Sequence, residues 1–245
     1  MDDLTIFVCT YNSSSTVERC LTGIKRSAPR ARLVVIDHNS TDDTVEIAER
    51  FSASIYVEEV SLGYARQVAF NIVQTKFLAF VDGDVEVVEP TFFERSFQEL
   101  GNPKVGAVVG MALRHTIPYG LPAGLLVLRT DDFRGKVIPA EIDARETYYI
   151  QHRLDLLGLK TAYLADAMIH ESQFRRFKPE WEGANTRLAC GVEVNQLLFA
   201  LKVVLLMSLN SGSMKNMLYV PIFYLKFLRG FANPQPWSRL KRGFD

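Results

Sequence analysis

The sequence predicts an α/β protein with a mostly parallel, doubly wound sheet, followed by a C-terminal helical region. Two observations carry the α/β part. Short apolar runs alternate with helix-length patterns through residues 1–175, as parallel βαβ units require. The run "FLAFV" (77–81) is apolar without a break, as a strand covered on both faces must be. A third observation carries the rest: from residue 176 the chain turns basic and apolar, with long runs at 196–209 and 214–231 separated by "NSGS". Domains of 1–175 and 176–245 follow.

Each element has a local cause. Strands are expected at 4–9, 33–37, 54–58, 77–81 and 105–112, and helices at 15–27, 42–52, 63–74 and 90–100. Ser13, Ser14 and Ser15 offer capping oxygens before "TVERCL", and "STDDTVEIAERF" opens with capping residues and first-turn acids, both helix-start signals. Ligands of doubly wound sheets bind beyond the carboxyl ends of the strands. That rule gathers "TYN" (10–12), "DHNS" (37–40) and "DGD" (82–84) on one rim, because each directly follows a strand.

A composition of 48% hydrophobic and 23% charged residues over 245 positions excludes a disordered chain and allows one large domain plus an addition. The formal net charge of zero hides an asymmetry. Residues 176–245 hold ten Lys and Arg against four Asp and Glu, a net +6, so the remainder carries −6. The cysteines, Cys9, Cys20 and Cys190, are odd in number and lack zinc-like pairing, as expected in a reducing compartment. The acidic N-terminus "MDDLTIFVCTYN" enters a strand at once without a secretory pattern, so the first domain is expected in the cytosol.

Asp82 and Asp84 repel each other unless a cation or a hydrogen-bond network lies between them. A solvated Asp-Gly turn is one reading. Their place on a rim with two other polar loops favours a second: a divalent cation, Mn²⁺ or Mg²⁺, held between these carboxylates and a diphosphate. Gly83 allows the tight turn that aims both side chains at one ion. Asp37 can hydrogen-bond a base or ribose, or can cap the helix after "STDDT". Arg66 can approach a phosphate from the 63–74 helix, or can be a solvated helix residue.

Four segments, "FVCTYNSSSTVERCL", "LVVIDHNSTDDTVEIAE", "LGYARQVAFNIV" and "FLAFVDGDV", occur in an order and spacing that resembles the family 2 glycosyltransferases of the GT-A fold. The resemblance covers residues 4–85. It implies an inverting transferase using a nucleoside-diphosphate sugar, with Thr10, Tyr11, Asn12 and Asp37 lining the nucleotide pocket. It also implies that Asp82 and Asp84 contact the sugar nucleotide and its metal; Asp84, farther out toward the cleft, is read as the main ligand, and Asp82 as facing the donor while sharing the ion. Farther on, "ETYYIQHRLDLLGLKTAYL" lines up with the family's Glu-Asp helix and the strand after it. Glu146 takes the glutamate place, but Thr147 stands where the second acid, normally the catalytic base, would be.

Displacement at an anomeric carbon needs a base on the acceptor hydroxyl and charge stabilisation on the leaving diphosphate. A threonine cannot be that base, so Glu146 is the first candidate and Asp143 the second; Glu146 can equally be an acid complementing the helix dipole. His170 matches a family histidine that often completes the metal or diphosphate site, and imidazole suits Mn²⁺ better than Mg²⁺; a structural histidine is the alternative. "WEGANTRLACG" (181–191) distantly resembles the Gln-x-x-Arg-Trp segment of cellulose-synthase-like members. Arg187 keeps the arginine, for a phosphate or the acceptor, while Ala184 and Leu188 replace its flanking partners, which favours single addition over processive synthesis.

The tail bears on the acceptor. The 14 residues 196–209 would rise about 21 Å as a helix against a hydrocarbon core of ~30 Å, a length that grows if the helix starts near Val192. Residues 214–231 mix Lys226 and Arg229 with five aromatics around Pro221, as helices lying in or crossing a membrane interface do. A hairpin packed on the domain, or an interface with a second copy of the chain, is the alternative. The expectation is a GT-A domain with a membrane-associated hairpin, adding one sugar to a lipid-linked acceptor at the cytosolic face. GDP-mannose is favoured over UDP-sugars by family association alone, and no nucleic-acid partner is expected. A nucleotidyltransferase and a non-catalytic sugar-nucleotide sensor are the rival readings.

Overall fold

The computed structural model describes residues 1–114, 121–170, 178–210 and 212–235. One eight-stranded sheet runs β3-β2-β1-β4-β7-β6-β8-β5. Its first half is parallel: β1 (Leu4–Thr10) lies between β2 (Arg32–Asp37) and β4 (Phe77–Asp82), and β3 (Ser54–Val57) flanks β2. Helices α1 (Val17–Ser27), α2 (Thr44–Arg50) and α3 (Leu62–Ile72) connect these strands.

The unbroken apolar runs have the expected cause. Phe77, Ala79 and Val81 of β4 enter one core with Leu4, Ile6 and Val8 of β1 and the buried stripe Val17, Cys20, Leu21 and Ile24 of α1. Leu78 and Phe80 enter a second core on the opposite face, with Phe7, Phe70 and Phe133. Alternate residues of one strand thus fill two layers. Ser61 caps α3 by accepting a hydrogen bond from the Tyr64 amide at 3.0 Å, one of the orphan donors of a helix start.

The second half of the sheet departs from the expectation of a mostly parallel, doubly wound sheet. β7 (Leu125–Arg129) inserts antiparallel between β4 and β6 (Val105–Ala112), and the three-residue β5 (Val85–Val87) pairs antiparallel with β8 (Lys160–His170). The sheet is therefore mixed, with α4 (Phe92–Leu100) and α5 (Glu146–Leu156) beside it. Neither β5 nor β7 was expected: β5 is three residues long and follows the tight Gly83–Asp84 turn, and the apolar run of β7 does not declare its direction.

Among the described residues, the C-terminal region holds three helices rather than two: α6 (Pro179–Cys190), α7 (Val194–Asn210) and α8 (Met214–Ala232). The domain boundary expected at 175 lies outside the described residues. Gly183 and Gly230 bring α6 and α8 into backbone contact; a Cβ at Gly230 would stand 1.8 Å from Glu180 O, and one at Gly183 1.9 Å from Phe227 O. Ala200, Phe223, Phe227 and Phe231 form a small core with α7. Helix α7 starts at Val194, earlier than the apolar run alone, and Pro221 lies inside α8. Among the described residues, no helix is long and apolar enough to cross a membrane.

Candidate active site

Parallel pairing places the polar strand ends side by side. Thr10 is the register partner of Asp37, and Cys9 that of Asp82. The ladder continues past the strands, with the His38 amide donating to Thr10 O at 2.8 Å and the Glu58 amide to Asp37 O at 2.9 Å. The expected rim exists, and its residues have distinct environments.

Asp37 is 1% exposed. Thr10 Oγ1 donates to Asp37 Oδ1 at 2.6 Å, and Ser40 donates its hydroxyl to Oδ1 and its amide to Oδ2, both at 2.7 Å. This carboxylate therefore holds the "DHNS" loop against β1. Asn12, at a φ of +45°, crosses to the same loop: its amide donates to Ser40 Oγ at 2.8 Å and its Oδ1 accepts from the Thr41 amide at 2.9 Å. The left-handed backbone suits asparagine.

Asp82 ends β4 and Asp84 precedes β5. Because Val85 pairs with His170 across the β5–β8 ladder, the neighbouring Asp84 Oδ1 lies 3.2 Å from His170 Nε2. One ligand atom each from Asp82, Asp84 and His170 fall within 4.8 Å of one another, and all three residues are half-buried. Two carboxylate oxygens and one imidazole form a donor set suited to Mn²⁺ and acceptable to Mg²⁺. The residues fit a divalent ion with positions left for a diphosphate.

Behind this group lies Arg66, 2% exposed. Its Nη2 donates to Asp82 Oδ1 at 2.9 Å, its Nε stands 3.4 Å from Glu146 Oε1, and its guanidinium carbon lies 5.0 Å from the Phe80 ring centroid. Burial alone would pull this guanidinium's pKa down. The Glu146 and Asp82 carboxylates outweigh that and hold it above its ordinary value. Among the described residues, Arg66 Nε and Nη1 make no hydrogen bond, so the pairing with Glu146 is an ion pair without ideal geometry. Arg66 takes its carboxylates from the protein, beneath the rim where a phosphate contact was expected.

Glu146, 7% exposed, is the first residue of α5 and follows Arg145 at a φ of +67°. The structure thus joins Glu146 to the cation group through Arg66. Asp143, the alternative base, is exposed in the preceding loop, and Thr147 is half-buried. Arg187 is placed elsewhere: on α6, its guanidinium carbon 5.7 Å from the Phe231 ring of α8.

One pair on the rim was not anticipated. His38 Nδ1 lies 2.5 Å from Glu58 Oε1, and the Tyr11 ring meets the His38 ring nearly edge-on, 5.4 Å between centroids. A signal existed, since Glu58 follows β3 as Asp37 ends β2.

Residues 5–124 match the model of Glycosyl transferase family 2. Glycosyltransferase AglE of Haloferax volcanii is 26% identical over 152 residues, covering 58% of this chain and 48% of that protein. An uncharacterized glycosyltransferase of Rickettsia felis is 30% identical over 89 residues, or 36% of this chain and 30% of that one. The matched region thus spans between about a third and a half of these relatives. Among solved structures, the mannosyltransferase PcManGT of Pyrobaculum calidifontis, in complex with GDP-Man and Mn²⁺, has a TM-score of 0.64 at 15% identity, covering 97% of this chain and 76% of that one. Glucosyl-3-phosphoglycerate synthase of Mycobacterium tuberculosis, in complex with Mn²⁺ and UDP-Glc, has a TM-score of 0.60 at 18% identity, covering 78% and 79%. These likenesses show a GT-A-like fold. Residues 5–124, just under half of the chain, carry the likeness to glycosyl transferase family 2.

Proposed function

We propose that this protein is a metal-dependent, inverting glycosyltransferase that moves one sugar from a nucleoside-diphosphate sugar to a lipid-linked acceptor. The observation that carries the reading is the convergence of Asp82, Asp84 and His170 beside the Arg66–Glu146 pair. Asp84 and His170, with Asp82, would hold the ion, and Asp82 would face the donor. When bound, the cation offsets the charge that builds on the leaving diphosphate. Glu146 takes the acceptor proton; Asp143 is the alternative base. Thr10, Tyr11 and Asn12, with Asp37 behind them, line the nucleotide side.

GDP-mannose is the favoured donor, in keeping with the GDP-Man complex of the neighbour that covers the C-terminal helices as well; UDP-sugars are the alternative, as in the Mycobacterium enzyme. The acceptor reading, a polyprenyl phosphate or polyprenyl-linked saccharide, rests on exposed apolar residues of α7 and α8, among them Leu198, Phe199, Leu205, Leu218, Ile222 and Leu225. Lys202, Lys215, Lys226 and Arg229 lie on the same helices, a combination suited to lying on the cytosolic face of an anionic membrane. Arg187, over the Phe231 ring of α8, is the candidate contact to a phosphate or the acceptor.

The test combines binding and turnover. A thermal-shift panel of GDP, UDP and dTDP, each with and without Mn²⁺, reads the nucleotide class through mass action. Radiolabelled GDP-mannose with polyprenyl phosphate in vesicles should then give a labelled lipid, and Glu146→Gln should abolish it. Pyrophosphate release from a sugar 1-phosphate and an NTP would instead identify a nucleotidyltransferase. Nucleotide binding without turnover on any donor would favour a sugar-nucleotide sensor, the reading that Thr147 in the second acid's place supports.

A further inference from the structure

We propose that Arg145 is a positioning residue: held by Glu182 of α6, it fixes the backbone from which Glu146 meets the acceptor hydroxyl. This rests on the reading above, with Glu146 as the base. Arg145 has a φ of +67° and a ψ of +20° immediately before α5. A left-handed backbone is unfavourable for a residue with a side chain and persists where the surroundings enforce it. Relaxation of Arg145 to a right-handed or extended backbone would swing Glu146, the next residue, away from Arg66.

The chain is fastened on both sides of this joint. Upstream, Ile142 O accepts from the Gly63 amide at 2.8 Å and Ala140 O from the Ser61 hydroxyl at 2.5 Å. The incoming loop is thus seated at the start of α3, the helix that carries Arg66. Downstream, the Tyr149 hydroxyl donates to Ala189 O at 2.9 Å and the Tyr148 hydroxyl to Glu193 Oε1 at 3.1 Å, which ties α5 to α6 and the turn after it. At the joint itself, Arg145 Nη2 meets Glu182 Oε2 at 2.9 Å. Glu182 adjoins Gly183, where α6 lies against the backbone of α8, so the partner is firmly seated. The two side chains are 27% and 35% exposed, and ion pairs so solvated contribute little to stability. The effect of this pair falls on geometry instead, where a misplacement of about 1 Å can cost on the order of 100-fold in rate.

The experiment compares the wild type, Arg145→Lys, Arg145→Gly and Glu182→Gln in transfer from GDP-mannose, and in parallel from UDP-glucose, to polyprenyl phosphate in vesicles. Dissociation constants of GDP and UDP with Mn²⁺, and hydrogen exchange along α5, supply readouts independent of turnover. Arg145→Gly and Glu182→Gln should each lower kcat by about 10–100-fold. Donor KM and nucleotide affinity should stay within about twofold of wild type, and exchange should quicken at the amides of Tyr148, Tyr149 and Ile150. Arg145→Lys, which keeps a charge for Glu182, should recover most of the lost kcat. Glycine adopts the left-handed backbone freely, so Arg145→Gly with wild-type kcat overturns the inference. Nucleotide affinity that falls in step with kcat overturns it too, because a pair that only supports the fold would weaken both; the transferase reading survives either result. A wild type that transfers from neither donor overturns that reading, and this one with it.

Discussion

Arg66 Nη2 lies 2.9 Å from Asp82 Oδ1, and the same guanidinium faces Glu146 at 3.4 Å. One buried cation therefore sets the charge behind both the metal group and the candidate base. Arg66→Met removes it and leaves Glu146 as a buried, unpaired carboxylate. Breaking such a pair costs about 3–5 kcal/mol, discounted here because Asp82 is partly solvated, and the melting temperature should fall by roughly 10 °C. The double variant Arg66→Met/Glu146→Gln should recover part of that loss. Thermal unfolding of the wild type, Arg66→Met, Glu146→Gln and the double variant gives the coupling directly.

Asp84→Asn and His170→Ala should each reduce the stabilisation that Mn²⁺ confers. Removing an outer-shell partner of a metal commonly costs about 10–100-fold in affinity, so loss of a direct ligand should cost at least the lower figure. Melting temperatures across a Mn²⁺ titration measure it. Equal Mn²⁺ shifts in wild type and both variants would remove these residues from the site.

Acid stability should depend on Asp42. Partial burial pushes its carboxyl up, but hydrogen bonds from Thr44 and Ser14 outweigh this and bring its pKa from 3.8 down to about 2. A depressed folded-state value means stability present above the unfolded pKa and lost as pH falls through the folded one. Asp42→Asn should thus be less stable than wild type by on the order of 1 kcal/mol at neutral pH. The difference should close between about pH 4 and pH 2, as denaturant titrations at several pH values would show.

Gly230→Val should part α6 from α8, since even a Cβ would stand 1.8 Å from the Glu180 carbonyl. Overpacking of a side-chain core costs about 1–3 kcal/mol, and a backbone obstacle yields less readily. The expected outcome is faster proteolysis of the C-terminal helices with nucleotide binding at the rim preserved. Loss of both together would show that these helices support the sheet.

The parallel half of the fold was legible because each of its strands is an apolar run that ends in a polar loop: Thr10, Asp37 and Asp82 follow buried residues and so announce the rim. The direction of β7 was not legible, because "LLVLR" reads the same in either orientation and its neighbours are chosen by tertiary packing. Helix α6 carried start signals, with Pro179 at its first turn and Glu180 and Glu182 beside it. It escaped notice because its buried face is made of Gly183, Ala184, Asn185 and Thr186, small residues without an apolar period. In the site, the aspartate pair was legible from its place after β4, and His170 joined it only through the family resemblance. The buried position of Arg66 could not, since a helix pattern does not say which polar residue a carboxylate will draw inward.

The link between β4 and β5 has a geometric consequence. Three residue steps separate Asp82 from Val85, a span of at most about 11 Å. Yet β4 and β5 stand four places apart in the sheet order, about 19 Å if the sheet were flat. The sheet must therefore roll over on itself, and "DGD" is the clasp across the opening. A divalent ion held by Asp82, Asp84 and His170 would fasten that clasp, tying the end of β4 to the end of β8.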